Sequence, residues 1–187
     1  MGKRNLNKMQ LRVVSESSKN PEDITMGNPQ ERSLSWLAGI IDGEGSITVQ
    51  AYMMKNGNLR ITPFICINNN DYGIIDECKR ILDEIGVTHR WYDRGDKVWI
   101  GRIDGEKPVL ALIDAIEPYL FSKKKDYCRV IREYIKDRSD NRFTRNVLGQ
   151  LIRNGYTKRQ IDLISSIRTS ARAKSSETLR QAANYIG

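Results

Sequence analysis

Apolar residues recur along this chain at two spacings, one helical and one alternating. Leu34, Leu37, Ala38 and Ile41 stand at i, i+3, i+4 and i+7, which predicts a helix over residues 33–41 with Ser33 as its N-cap. Glycines at 43 and 45, in the run GEG, are expected to stop it. The pattern then alternates. Residues 46–54 predict a strand with Ile47, Val49 and Ala51 on one face and Thr48, Gln50 and Tyr52 on the other. Asn56-Gly57 supplies a hairpin turn. In the returning strand Ile61, Ile65 and Ile67 face the core, with Arg60, Thr62, Phe64 and Cys66 opposite. Pro63 argues for an edge position or a bulge.

The helical spacing returns over residues 71–84, with Asp71 as N-cap, an apolar face of Ile74, Ile75, Cys78, Ile81, Leu82 and Ile85, and Gly86 as terminator. Short strands are expected at 88–93 and 97–102, joined by Arg94-Gly95-Asp96. A helix over 108–116 starts with proline at its favoured first position. The order α-β-β-α-β-β-α predicts an α+β fold, an antiparallel sheet with helices on one face. Beyond Phe121 the pattern is helical and basic. Helices are expected over 124–138 and 145–153, the second ending at Gly155. A third begins at Thr157, where TKRQ reads as a capping box, and a last one carries Leu179, Ala182, Ala183 and Ile186. The organisation expected is a flexible N-terminal arm at 1–30, a core domain at 31–138 and a basic helical C-terminal subdomain at 139–187.

Composition narrows the chemistry. The chain has 187 residues and a net charge of +8, enough length to bury a core without disulfides or a structural metal. Charge is uneven: residues 31–120 carry a net −4 and residues 121–187 a net +10. A basic third on a near-neutral body suits a polyanion, most simply nucleic acid. Cys66, Cys78 and Cys128 form no zinc or redox spacing and read as reduced, buried thiols in an intracellular compartment. Neither a secretory leader nor a membrane span is expected. A single histidine, His89, leaves little room for a His-rich zinc site, an HNH-type nuclease or a Ser-His-Asp hydrolase. Carboxylates and lysines are left to carry any chemistry.

The segment LAGIIDGEG, residues 37–45, gathers those groups. Gly39 and Gly43, with Ala38 beside them, allow a second helix to approach closely. Asp42 and Glu44 fall at a helix C-terminus, where the macrodipole opposes negative charge. A divalent cation offsets that cost, and Mg²⁺ takes one or two carboxylates together with substrate phosphates. For Asp42, capping of a neighbouring segment is an equally good reading.

LAGIIDGEG is similar to the LAGLIDADG signature, and the chain resembles the single-motif, intron-encoded LAGLIDADG homing endonucleases over about residues 31–187. DGEGSI followed by Gln50, DEIGV with Asp93-Arg94-Gly95, PYLFSKKKDY and SARAKSSETLR extend the likeness. The resemblance implies a curved antiparallel DNA-binding sheet, followed by C-terminal helices. It makes Glu44 the metal-ligating acid, with the Gly43 carbonyl as second ligand and Mg²⁺ as cofactor, Mn²⁺ substituting. It places Asn69 as the residue that orients the attacking water, with Asn68 and Asn70 as alternatives. Lys123 stands near the scissile phosphate and Lys125 binds phosphate. No counterpart to an arginine that some members carry after the second strand is found near Gly73-Ile74. One motif implies a homodimer with Ala38, Gly39 and Asp42 at the helix–helix interface. Such a dimer would cut a long pseudo-palindromic double-stranded DNA and leave short 3′ overhangs.

Base reading then falls to the sheet face opposite the core, where alternation places Thr48, Gln50, Tyr52, Arg60, Thr62, Tyr92, Arg94, Lys97 and Trp99. Arg172 and Lys174 are expected to grip phosphate. Neither a membrane nor a small-molecule substrate is expected. Three other readings compete. LIRNGYTKRQIDLI resembles a helix-turn-helix. The same scaffold occurs in non-cleaving DNA-binding regulators and in RNA maturases. Paired carboxylates occur in glycosidases, but no aromatic sugar cleft is evident.

Overall fold

A computed structural model describes residues 28–167, apart from residues 96, 146 and 149. Helix α1 spans Pro29–Glu44, β1 Gly45–Met53, β2 Leu59–Asn69, α2 Tyr72–Glu84, β3 Arg90–Asp93, β4 Trp99–Asp104 and α3 Glu106–Ile116. A single 3₁₀ turn leads to α4, Lys124–Asp140. A short hairpin, β5 Phe143–Arg145 and β6 Leu151–Arg153, precedes α5, Lys158–Ser165. The expected α-β-β-α-β-β-α order is therefore present. The antiparallel sheet runs β1-β2-β4-β3.

Helix α1 begins earlier than its apolar stripe. The Asn28 side chain accepts the Gln30 N–H at 3.1 Å and Pro29 occupies the first turn, so the cap is Asn28 and not Ser33. The helix also runs through Gly43 to Glu44. At Gly45 the chain turns so tightly into β1 that a Cβ there would lie 2.8 Å from the Ile41 Cα and carbonyl oxygen. Glycine is required at that step by close approach. Asp71 caps α2 as expected, accepting the Gly73 and Ile74 amides at 2.7 and 3.3 Å, and Gly86 ends it at φ +67°. Pro108 sits in the third position of α3, behind a Gly105 cap at φ +96°.

Strand register sets the two sheet faces. Ile47 pairs with Ile65, Ala51 with Ile61, Ile65 with Ile103 and Ile67 with Gly101. This face joins Leu37, Ala38 and Ile41 of α1, Ile81 and Leu82 of α2, Leu112 and Ile113 of α3, and Ile131 and Tyr134 of α4 in one core. Pro63 lies in an inner strand and not at an edge. Its carbonyl accepts the Gly105 N–H at 3.0 Å, so its nitrogen faces the side where β4 has ended and no ladder bond is lost. Two residues earlier, the Ile61 N–H points the same way and is met at 3.0 Å by the Tyr156 hydroxyl.

The helix expected over 145–153 is instead the β5–β6 hairpin. Its base is tied down: the Asn154 N–H donates to the Arg142 carbonyl, and buried Arg138 donates to the Gly155 and Asn154 carbonyls at 2.6 and 2.9 Å. Val147, Leu148 and Leu151, whose spacing suggested a helix, are exposed. A nine-residue helix is marginal alone, and these residues gain no core burial to offset it. The helix-turn-helix reading fails with it. The Thr157 capping box of α5 is present, with Gln160 N–H to Thr157 Oγ1 and Thr157 N–H to Gln160 Oε1 both at 3.2 Å. The last expected helix lies outside the described residues, as do Arg172, Lys174 and nearly all of the 1–30 arm. Among the described residues no helix is long and apolar enough to cross a membrane. The cysteines are unpaired. Burial pushes the Cys78 and Cys128 thiols up to about 12, while Cys66 is half-buried on the sheet.

Candidate functional site

The motif helix ends where three elements meet. Asp42 turns toward the segment before α4 and accepts the Phe121 N–H at 2.8 Å, the Ser122 N–H at 3.3 Å and the Ser122 hydroxyl at 2.5 Å. Burial raises its pKa, but these bonds and nearby Lys124 outweigh burial and hold the carboxyl below its ordinary value. Asp42 is thus a latch to the following helix, which favours the capping reading over an interface role. Its charge at the helix C-terminus is compensated without a metal.

Lys124 completes the junction. Its Nζ donates to the Ile41 and Asp42 carbonyls, each at 2.6 Å, and places a cation on the negative end of α1. Burial lowers its pKa, and the charges of Asp42 and Glu44 oppose that shift. The sequence singled out Lys123, as a lysine near the scissile phosphate. In the structure Lys123 is the exposed N-cap of α4, and its neighbour reaches the motif. Three consecutive lysines carry no periodicity that could have separated them. Lys125 lies half-buried in the first turn of α4.

Glu44, the last residue of α1, is exposed and makes no hydrogen bond or ion pair among the described residues. Gly39 and Gly43 are exposed on the same helix, and a Cβ built on either would meet nothing within 4 Å. Ala38, expected at an interface, is buried in the chain's own core, because it shares the helix stripe of Leu37 and Ile41. Asn69 follows the register Gly45–Ile67 by two residues, level with the end of the motif. Its Oδ1 accepts the Asp71 N–H at 2.8 Å in the turn into α2. The donors around Glu44 and the Gly43 carbonyl are hard oxygens in an exposed setting, which suits Mg²⁺ completed by phosphate oxygens. Among the described residues no group of three or more His, Cys, Asp or Glu side chains forms a self-sufficient metal centre.

On the opposite sheet face, Tyr52, Arg60 and Tyr92 are exposed and Gln50 and Thr62 half-buried, in the expected phase. Thr48 has that phase but is the cross-strand partner of Phe64 and only 2% exposed. Trp99 is on the other face. It pairs with Asn69 and packs edge-on against Tyr72 of α2, with Lys79 over its ring at 5.5 Å. The strand begins later than expected, and one residue of phase exchanges the faces. Arg94 and Lys97 lie in the β3–β4 turn, both exposed, Lys97 with φ +62°. The corrected phase brings in Arg90, Arg102 and Asp104, which the sequence reading missed. The Arg102 guanidinium lies 4.1 Å over the Phe64 ring. It donates to Asp104 at 2.7 Å and to Gln50 at 2.8 Å, while Arg90 donates to the second Asp104 oxygen at 2.6 Å.

A four-stranded antiparallel sheet backed by helices, with a motif helix ending in an exposed acid, is the architecture to compare with known proteins. Residues 37–134, over half the chain, match the family described as LAGLIDADG endonuclease, and the chain belongs to that family. A stretch of 67 residues is 31% identical to uncharacterized protein MJ0314 of Methanocaldococcus jannaschii, covering 36% of this chain and 24% of that protein. The chain thus spans about a quarter of that curated relative. Among solved structures, the homing endonuclease I-CvuI in complex with its target superposes with TM-score 0.62 at 16% identity, over 84% of this chain and 96% of that one. The homing endonuclease I-TnaI gives 0.58 at 18% identity, over 82% and 97%. The archaeal intron-encoded I-Vdi141I, complexed with DNA, gives 0.56 at 14%, over 83% and 99%. At these identities the likeness is one of fold.

Proposed function

We propose that the chain is a site-specific, divalent-metal-dependent endonuclease that cuts both strands of a long, roughly palindromic DNA as a homodimer, inside a reducing cellular compartment. The observation that carries this reading is the pairing on one helix of an unpartnered terminal acid, Glu44, with an open glycine face at Gly39 and Gly43. A second copy laid against that face would bring two Glu44 carboxylates together at a twofold axis, next to both sheets.

Glu44 and the Gly43 carbonyl would hold Mg²⁺ or Mn²⁺. Bound there with the scissile phosphates, the metal supplies Lewis-acid activation of water and neutralises charge on the phosphate. The protein groups do the rest. Lys124, and Lys123 one residue before it, offer ammonium groups to charge developing on the phosphate. Asn69, its carbonyl engaged by the turn into α2, keeps its amide N–H groups for positioning water. Asp42 and Ser122 hold Lys124 against α1. Lys125, and Arg172 and Lys174 beyond the described residues, add phosphate contacts that make binding salt-dependent.

Purified protein incubated with DNA carrying its site is expected to cut with Mg²⁺ and to bind without cutting with Ca²⁺. Glu44→Gln is expected to abolish cleavage and keep binding. Binding without cutting under Mg²⁺ would instead favour the non-cleaving regulator, and tighter binding to a structured intron RNA the maturase.

A further inference from the structure

We propose that Gln50 and Arg102 form one preassembled reading unit for guanine, and that Asp104 is the positioning residue that aims it. The inference rests on the reading of this sheet as a DNA-binding surface and adds which base one part of that surface selects.

Three strands build the unit. Gln50 is on β1, Phe64 on β2, and Arg102 and Asp104 on β4. Arg102 reaches over β2, its guanidinium carbon 4.1 Å from the Phe64 ring centroid. Its Nε is held by Asp104 Oδ1 at 2.7 Å and its Nη2 by Gln50 Oε1 at 2.8 Å. The other Asp104 oxygen takes Arg90 Nη2 at 2.6 Å. The side chains of Gln50, Arg102 and Asp104 are half-buried, so packing and pairing restrict their rotamers before any ligand arrives.

Donor chemistry then fixes an orientation. Guanidinium has donors only, so the end of the Gln50 amide that meets it must be oxygen. The Gln50 nitrogen is the end left over. Among the described residues it donates to nothing, and neither does Arg102 Nη1. Two unused donors thus remain on side chains already joined by a hydrogen bond. In the major groove guanine offers two adjacent acceptors, N7 and O6, whereas adenine offers one acceptor beside an amine and cytosine offers an amine. A glutamine alone would suit adenine, using oxygen and nitrogen together. Arg102 occupies that oxygen and turns the same residue toward guanine.

The test is selection from a randomised double-stranded DNA library, with Ca²⁺ as the only divalent ion, followed by sequencing of bound DNA. Wild type is expected to enrich a site with guanine at one defined position in each half. Gln50→Glu keeps an oxygen for Arg102 but replaces the outward donor by an acceptor. It is expected to lose guanine there by roughly 5- to 150-fold and to gain cytosine. Asp104→Ala is expected to lose preference at that same position while binding to unrelated DNA is undiminished or stronger, since a negative charge is gone. A loss only of packing would lower the melting temperature and weaken all sequences alike. If wild type enriches a site but Q50E and D104A leave every position unchanged, the reading unit is wrong and the DNA-binding function stands. If wild type enriches nothing, both fall.

Discussion

Asp42 tests how the motif helix is joined to the rest of the protein. Asp42→Ala removes three hydrogen bonds at once, two of them short, to the Phe121 amide and the Ser122 hydroxyl. A hydrogen bond to a charged group contributes about 1.5–3 kcal/mol, but Phe121 and Ser122 are exposed and water recovers part of it. The third bond, at 3.3 Å, is long and adds little. The net cost is therefore about 2 kcal/mol. In a chain of this size each kcal/mol moves Tm by about 2–4 °C, so D42A is expected to melt about 4–8 °C lower at pH 7. Acid provides the second check. The folded carboxyl titrates below its ordinary value of 3.8, so its contribution is complete above that value and fades as pH falls through the folded pKa. The gap between wild type and D42A is expected to hold at neutral pH and to close below 3.8. Thermal unfolding followed by circular dichroism across that range measures both. A D42A protein as stable as wild type at pH 7, or a gap that widens in acid, would refute the latch.

Lys124→Met uncovers the carbonyls of Ile41 and Asp42 and is expected to cost about 1 kcal/mol and to slow cutting more than it weakens DNA binding; Lys123→Met leaves Tm unchanged, and equal melting of the two variants contradicts the assignment. Gly101→Ala puts a Cβ 2.4 Å from the Trp91 ring, so an overpacking cost of about 1–3 kcal/mol and a changed tryptophan fluorescence are expected, and an unperturbed spectrum would show the ring is not there. Arg138→Met strips the Gly155 and Asn154 carbonyls of a buried donor, at about 2–4 kcal/mol, and hydrogen exchange at the β5–β6 base is expected to speed up.

Where apolar spacing coincided with a cap or a turn residue, the local reading held. Asp71, Gly86, Asn56-Gly57 and the Thr157 box mark their elements because each satisfies nearby backbone groups with no help from distant residues. The errors have a common cause. Trp99 is an error of one position, in a strand without a clear start. Ala38 was assigned by its size, but what placed it was the helix stripe it shares. The segment 145–153 has helical spacing, yet the residues that follow it, Asn154 and Gly155, are tied to Arg142 and Arg138 on the far side of the hairpin, a pairing that no local pattern reports.

Sequence alone determined the element order from α1 to α4, the motif with its terminal acid and the basic bias of the last third, since these depend on composition and short-range spacing. Tertiary structure decided which lysine reaches the motif, that Asp42 serves the protein's own chain, and that Gln50 meets Arg102 across three strands. Those outcomes depend on register and on side chains from separate elements competing for the same polar partners, and such competition is resolved only when the elements pack.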